Sequence, residues 1–267
     1  MNQATHQAGT ALITGASTGI GAVYADRLAA RGHDLILVAR DRAKLDALAK
    51  RLASEHGRAI EVIAADLTRA EDVRRIEQRL REDAAISTLI NNAGVGSTSP
   101  LLASDPDQLD AMIQLNTTSL TRLTRAVLPG LLGRGAGTIV NISSIAAVAP
   151  EILNATYSGS KAYVLAFSQA LHKEVADQGV RVQVVLPGAI GTPFWDAAGI
   201  SVQQLPQDWV MSPEDLVDAA LSGLEQGELV TVPSLPSLED WQAFDDARRA
   251  LAPNLSRVKP ARRYGVA

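Results

Sequence analysis

A chain of 267 residues, 46% apolar and 20% charged, is long enough to bury one sizeable core and has the composition of a globular protein. Its net charge of −4 gives no ground for a nucleic-acid partner, and the absence of Cys excludes disulfides and thiolate-held metals and agrees with a cytoplasmic location. The polar start lacks the order of a signal peptide, and no apolar run approaches the ~20 residues of a membrane span, so no membrane partner is expected.

Short apolar runs alternate with helical patterns. Residues 10–14 (TALIT) read as a first strand, followed by a helix over 19–31. A second strand over 34–39 (DLILVA) leads into a helix over 41–56 with Leu45, Leu48 and Leu52 in phase. A third strand at 59–65, a charged helix at 69–83 and a fourth strand at 88–91 follow. Then come a long helical pattern at 106–132, a strand at 138–142, a helix at 155–177 and a strand at 180–186. Most strands are unbroken apolar runs, as expected where both faces of a parallel sheet are covered. Residues 188–212 lose periodicity and read as a lid loop. Helix returns at 213–226 behind the cap residue Ser212, with a seventh strand at 229–232 and a last helix at 237–250. Residues 251–267, with Arg257, Lys259, Arg262 and Arg263, read as a solvated C-terminal arm. The alternation predicts an α/β fold: one doubly wound parallel sheet (a Rossmann fold) of about seven strands, helices on both faces, in a single domain over 1–267.

Tyr157-Ser-Gly-Ser-Lys161 places a phenol and a cation one helical turn apart on one face. A phenol titrates near ~10, and a nearby ammonium favours its ionised form, which makes it a usable general acid or base. The plainer alternative is a surface Tyr beside a solvated Lys.

Thr14-Gly-Ala-Ser-Thr-Gly-Ile-Gly21 joins the first strand to the first helix. Its spacing, Gly15-x3-Gly19-x-Gly21, differs from G-x-G-x-x-G. It is either an ordinary turn or a cradle for a pyrophosphate at a helix N-terminus, and its place in the first βαβ unit favours the cradle. The second strand ends in Ala39-Arg40 rather than in an acid. Arg40 is suited to a 2′-phosphate, which favours NADP(H) over NAD(H); the alternative is a solvated Arg at a helix start. Asp66, ending the third strand, is placed either to meet an adenine amino group or to cap the next helix.

These elements, with Asn91-Asn-Ala-Gly94, Asn116, Ser143-Ser144 and Pro187-Gly188 with Thr192, resemble the short-chain dehydrogenase/reductase family, single-domain type. The resemblance covers roughly residues 10–232. It implies that Tyr157 exchanges a proton with a carbonyl or alcohol oxygen, and that Lys161 binds the nicotinamide ribose and lowers the Tyr pKa. It implies that Ser144 hydrogen-bonds the substrate oxygen and that Asn116 holds a relay water. Ser144 is preferred over Ser143 because the family serine lies about thirteen residues before the Tyr; a helix-interior Asn bonding its own backbone is the alternative at Asn116. The cofactor residues implied are Gly15, Ser17, Thr18, Gly19, Ile20, Gly21, Arg40, Asp66, Leu67, Asn92, Ala93, Gly94, Tyr157, Lys161, Pro187, Gly188, Ile190 and Thr192. Asn91 is read as lying beside the cofactor.

The substrate is a small carbonyl or alcohol compound of unspecified class. Ser144, Tyr157, Phe194 and Trp195 are its expected contacts, with residues 95–99, 146–148 and 151–152 at the entrance. Phe194, Trp195 and Trp209 either roof the pocket or anchor the lid. Such proteins are usually homodimers or homotetramers, through the helices at 106–132 and 155–177; Ala162, Ala166 and Ala170 suit either close helix contact or the core. A non-catalytic NADP(H) sensor and a nucleotide-sugar epimerase or dehydratase are the alternative functions. His6, His33, His56 and His172 show no ligand spacing, so no metal is expected.

Overall fold

The computed structural model describes residues 8–266; His6 lies outside them. The chain divides into two compact units, one ending at Pro233 and one beginning at Ser234. The larger unit runs β1 (Thr10–Thr14), α1 (Gly19–Ala30), β2 (Asp34–Ala39), α2 (Arg42–His56), β3 (Ile60–Ala64), α3 (Ala70–Glu82) and β4 (Ile86–Asn91). It continues through α4 (Pro106–Ile113), α5 (Leu120–Arg134), β5 (Gly137–Ile142), α6 (Ala155–Val175), β6 (Val180–Val185), β7 (Ala189–Ile190), α7 (Phe194–Ala198), β8 (Val210–Met211), α8 (Pro213–Glu225) and β9 (Val230–Thr231).

Seven strands form one parallel sheet in the order β3-β2-β1-β4-β5-β6-β9. The unbroken apolar strands fill both faces. Ala11, Ile13, Leu35 and Leu37 turn to one side, where α1, α2 and α8 supply Tyr24, Leu45 and Val217. Leu12, Ile36 and Val38 turn to the other, against Ile76 of α3 and Leu123 of α5. Successive side chains alternate faces, so each apolar run feeds two cores. The strand order reverses between β1 and β4, and a crevice for a ligand opens outside the carboxyl ends of those strands.

Polar pins cross this crevice's floor. Asn91 of β4 and Asn141 of β5 are register partners. The Asn91 amide donates to Asn141 Oδ1 (2.9 Å) and to Thr124 Oγ1 of α5 (2.9 Å), and the Asn141 amide donates to Ser168 Oγ of α6 (2.9 Å). All four side chains are buried. Asn91 therefore ties strands to helices through an amide committed to Thr124 and Asn141, a role its place beside the expected cofactor residues does not suggest.

Two stretches depart from the predicted elements. The helix expected over 106–132 is interrupted by a π-helical turn at Gln114–Ser119. Thr117, Ser119 and Thr121 each donate a hydroxyl to the carbonyl four residues back, at 2.6, 2.6 and 2.9 Å, and such bonds loosen a helix's own ladder. The expected lid loop has structure of its own. β7 pairs with β8, so the excursion leaves and returns through one short parallel ladder. These elements are too short to show periodicity.

In the smaller unit, α9 (Leu238–Arg249) is capped by Ser237, whose Oγ accepts from Glu239 N at 3.2 Å. Arg248 and Arg249 both pair with the buried carboxylate of Asp245, at 2.6 and 2.7 Å.

Asn141→Ala leaves the Asn91 amide without one of its buried partners. The expected cost is about 2 kcal/mol of unfolding free energy, read as a lower urea midpoint with unchanged slope.

Candidate active site

The helix that carries Tyr157 and Lys161 is set by its first turn. Asn154 caps α6, its Oδ1 accepting from Thr156 N (2.8 Å) and Tyr157 N (3.3 Å). Tyr157 and Lys161 follow on one face, each only 5% exposed, with the ammonium 5.8 Å from the phenol ring's centroid. Lys161 Nζ donates to Ile142 O at the end of β5 (2.9 Å). The two serines after β5 separate here. Ser143 Oγ donates to the backbone carbonyl of Lys161 (2.7 Å), which fixes it to the helix. Ser144 accepts from Ala146 N (3.1 Å) and has its hydroxyl beside the Tyr157 phenol. The surface-pair alternative for Tyr157 and Lys161 is excluded by their burial.

Burial governs the protonation of this pair. It pushes the Tyr157 phenol up to about 12, against a smaller downward pull from the Ser144 hydroxyl. It pushes the Lys161 ammonium down to about 8. The lowering of the phenol expected from a neighbouring ammonium is overturned in this arrangement. The cation is aimed at a carbonyl, and desolvation of the buried phenolate outweighs it.

Asn116 sits in the π turn. Its amide donates to Val95 O (2.9 Å) and Ser160 Oγ (3.0 Å), and its Oδ1 accepts from Val95 N (3.0 Å). It bonds another segment rather than its own helix. Ser160 in turn donates to Tyr157 O (2.7 Å), so a chain of bonds runs from Val95 to the Tyr157 backbone. Gly94 lies between the two helices: a Cβ there would stand 3.2 Å from Asn116 Oδ1 and 3.4 Å from Lys161 Nζ. Asn116 and Lys161 thus approach one point. Sequence reasoning placed Val95 at the entrance but not as a partner of Asn116, and it missed Ser160, for which the Ser between Tyr157 and Lys161 was the available signal.

The glycine turn is a cradle that side chains would fill. Gly15 and Gly19 have φ of +67° and +54°, which favour glycine. A Cβ on Gly21 would lie 2.3 Å from Gly15 O, and one on Gly19 would lie 2.9 Å from Thr192 Cγ2. Thr18 precedes α1 without a side-chain cap, leaving the first N–H groups to a ligand. Asn92 holds the turn from behind, its amide donating to Thr14 O (3.0 Å) and Gly15 O (3.1 Å), while Asn92 N and Ala93 N donate to Thr14 Oγ1. These residues fit a dinucleotide's pyrophosphate.

Other expected cofactor residues divide. Arg40 is exposed at the end of β2. Asp66 Oδ1 accepts from Thr68 N (3.0 Å) and Thr68 Oγ1 (2.8 Å), so it does not cap α3. Partial burial raises the Asp66 carboxyl, but the Thr68 bonds and the Arg40 and Arg69 guanidiniums hold it below the usual carboxylate range. Leu67 is buried in the core, and Ile20 packs against the opposite core. Pro187 O accepts from Ile145 N (2.9 Å), joining the strand ends behind Ser144. The Ile190 carbonyl accepts from Thr192 N (2.8 Å) and from the Trp195 indole (2.9 Å), so that oxygen is spent inside the protein. Ser17 and Gly188 lie half-buried on the turns at the two sides of the crevice.

The three lid aromatics have different roles. Phe194 faces the Tyr157 ring, centroids 5.9 Å apart. Trp195 is buried, and its indole bond to Ile190 anchors the lid. Trp209 is 69% exposed and covers nothing.

Away from this crevice, His56 Nε2 stands 3.3 Å from Asp26 Oδ1, with Glu55 beside them, a grouping that histidine spacing alone did not reveal. Arg51 bridges Glu55 (2.6 Å) and Asp26 (3.5 Å), and Arg27 pairs with Asp26 (2.7 Å). The guanidiniums already supply the positive charge that a cation would bring. Among the described residues no helix is long and apolar enough to cross a membrane.

Residues 9–201 match the family described as short chain dehydrogenase. The chain belongs to that family. It is an oxidoreductase acting on CH–OH and C=O groups, and its relatives support a nicotinamide cofactor. A short-chain dehydrogenase from Sphingobium yanoikuyae in complex with NADPH is 49% identical, with a TM-score of 0.92 covering 95% of this dehydrogenase and 98% of that one. A bulky-bulky ketone specific alcohol dehydrogenase from Comamonas testosteroni is 44% identical, with a TM-score of 0.89 over 97% and 99% of the chains. A very-long-chain 3-oxoacyl-CoA reductase from Anas platyrhynchos is 39% identical over 79% of this chain and 67% of its own.

Gly21→Ala brings a methyl against Gly15 O in the cradle. Nicotinamide-cofactor binding, followed by fluorescence of the reduced cofactor, is expected to weaken at least about tenfold.

Proposed function

We propose that this dehydrogenase is an NADP(H)-dependent reductase of ketones with Tyr157 as general acid, working in reverse on secondary alcohols. The observation that carries the reading is the meeting of Ser144, Tyr157, Lys161 and Asn116 beside the glycine cradle. When bound, the nicotinamide supplies or accepts the hydride. The protein's part is orientation and proton handling. With the phenol near 12 and the ammonium near 8, the neutral-pH site holds a protonated Tyr157 and a charged Lys161. The phenol gives its proton to the substrate oxygen, and the Ser144 hydroxyl donates a second hydrogen bond to that oxygen. Lys161 stabilises the phenolate that forms.

Arg40 at the end of β2, where an acid would favour NAD(H), supports the choice of NADP(H), as does the NADPH bound by the Sphingobium relative. The apolar surround of the phenol, made by Met112, Ala146, Val95, Leu153 and Phe194, supports a hydrophobic substrate. The Comamonas relative makes ketones with large groups on both sides the first class to try.

Homodimers or homotetramers in the cytoplasm complete the proposal. Gly159, Ala166 and Ala170 are exposed on α6, beside Tyr163 stacked on Phe167 at 5.8 Å, and this supports pairing through that face rather than a core role for the alanines.

A ketone panel with NADPH and NADH in parallel, read at 340 nm, tests the assignment. Tyr157→Phe is expected to lose about 10³-fold in kcat while binding NADPH normally. Near-normal turnover in that variant, or tight NADPH binding without turnover of any ketone by the wild type, overturns the reading, and the second outcome favours a sensor.

Arg40→Ala is expected to lower kcat/KM for NADPH by about 10- to 100-fold and leave that for NADH nearly unchanged. Equal losses with both cofactors contradict the NADP(H) assignment.

A further inference from the structure

Phe194 opens the lid helix α7 and leans on the Tyr157 ring. What holds it there is the loop after β4. A Cβ built on Gly96 would stand 2.4 Å from Phe194 Cζ, and 3.1 and 3.2 Å from the two flanking ring carbons. The vector therefore meets the tip of the ring head-on, and the missing Cβ makes the ring's seat. Nothing else in the backbone requires glycine there, since Gly96 is not among the positive-φ glycines.

The seat is fixed at both ends. Thr98 donates its N–H (3.1 Å) and its hydroxyl (2.9 Å) to Ala198 O, the last residue of α7. Asn154, which caps α6 just before Tyr157, donates its amide to Ser99 O. The Val95–Ser99 stretch thus spans from the catalytic helix to the lid helix, and the Phe194 ring is held between Gly96 and the phenol.

We propose that Gly96 is a specificity-determining residue: by seating Phe194 against Tyr157 it fixes the wall that limits the size of the substrate group beside the phenol. This rests on the ketone-reductase reading above. An alanine at 96 is tolerated by the backbone and displaces only the far end of one side chain. It moves the wall without touching Tyr157, Ser144, Lys161 or the glycine cradle.

The test compares kcat/KM, with NADPH, for acetophenone and for deoxybenzoin, which carries an aryl group on both sides. Gly96→Ala is expected to change the ratio of the two by at least about tenfold, with NADPH affinity within twofold of wild type, as one methyl or methylene in an apolar pocket does. In a Phe194→Ala background the same substitution is expected to change the ratio by less than about twofold, because the ring it displaces is gone. Equal changes in the two backgrounds, or a ratio that Gly96→Ala leaves unmoved while the wild type reduces both ketones, overturn the proposal alone. A wild-type chain that reduces neither ketone overturns the reductase reading and this one with it. Should Gly96→Ala fail to fold, Phe194→Ala alone must move the ratio by the same factor, and an unmoved ratio overturns the proposal.

Discussion

The buried ammonium of Lys161 donates to the carbonyl of Ile142, the last residue of β5. A backbone carbonyl is only a partial counter-charge, so this contact fixes the position of the cation without neutralising it. Ser143, one residue on, returns a hydroxyl to the Lys161 carbonyl, and the helix is gripped from both its side chain and its backbone. Because β5 is in register with β4 and β6, the place of Tyr157 is inherited from the sheet. The face that carries Tyr157 and Lys161 is thus an extension of strand pairing, and the polar pins beneath it transmit that pairing to α5 and α6.

Burial is what makes the site chemically unusual. It moves the two titrating groups apart, the phenol up and the amine down, and so widens the difference in their proton affinities. In the proposed mechanism, proton movement between substrate oxygen, phenol and solvent needs polar groups that reach the pair through an apolar surround. Asn116 is one such group, approaching Lys161 across Gly94. Its place depends on the π turn, which interrupts the regular bonding of the long helix and lets the amide meet the Val95 backbone and Ser160.

Much of this was legible in the sequence because it rests on local rules. The unbroken apolar strands, the glycines of the first turn and the i,i+4 spacing of Tyr157 and Lys161 specify backbone shape and facing without knowledge of distant contacts. The choice of Ser144 over Ser143 came from the family likeness, and the opposite bonds of the two hydroxyls supply its physical reason. What stayed hidden depends on side-chain contacts that spacing does not report, some of them far along the chain. Asn91 looks like part of a cofactor motif, yet its amide is committed to Thr124 and Asn141. Trp195 looks like pocket lining, yet its indole is bonded to Ile190. The π turn was invisible because its cause is a run of hydroxyl side chains inside an otherwise regular apolar pattern. The phenol's upward shift was missed for a similar reason, since spacing reports nearness of charge and not the depth of desolvation.

The short ladder of β7 and β8 has an evolutionary consequence. Its two strands close the base of the excursion that carries α7, so residues 193–209 leave and rejoin the body almost at one place. Loop closure depends only weakly on the length of an excursion whose ends are already fixed together. Insertions and deletions there are therefore cheap for the sheet, and one scaffold can exchange this module while the face that carries Tyr157 and Lys161 is left intact.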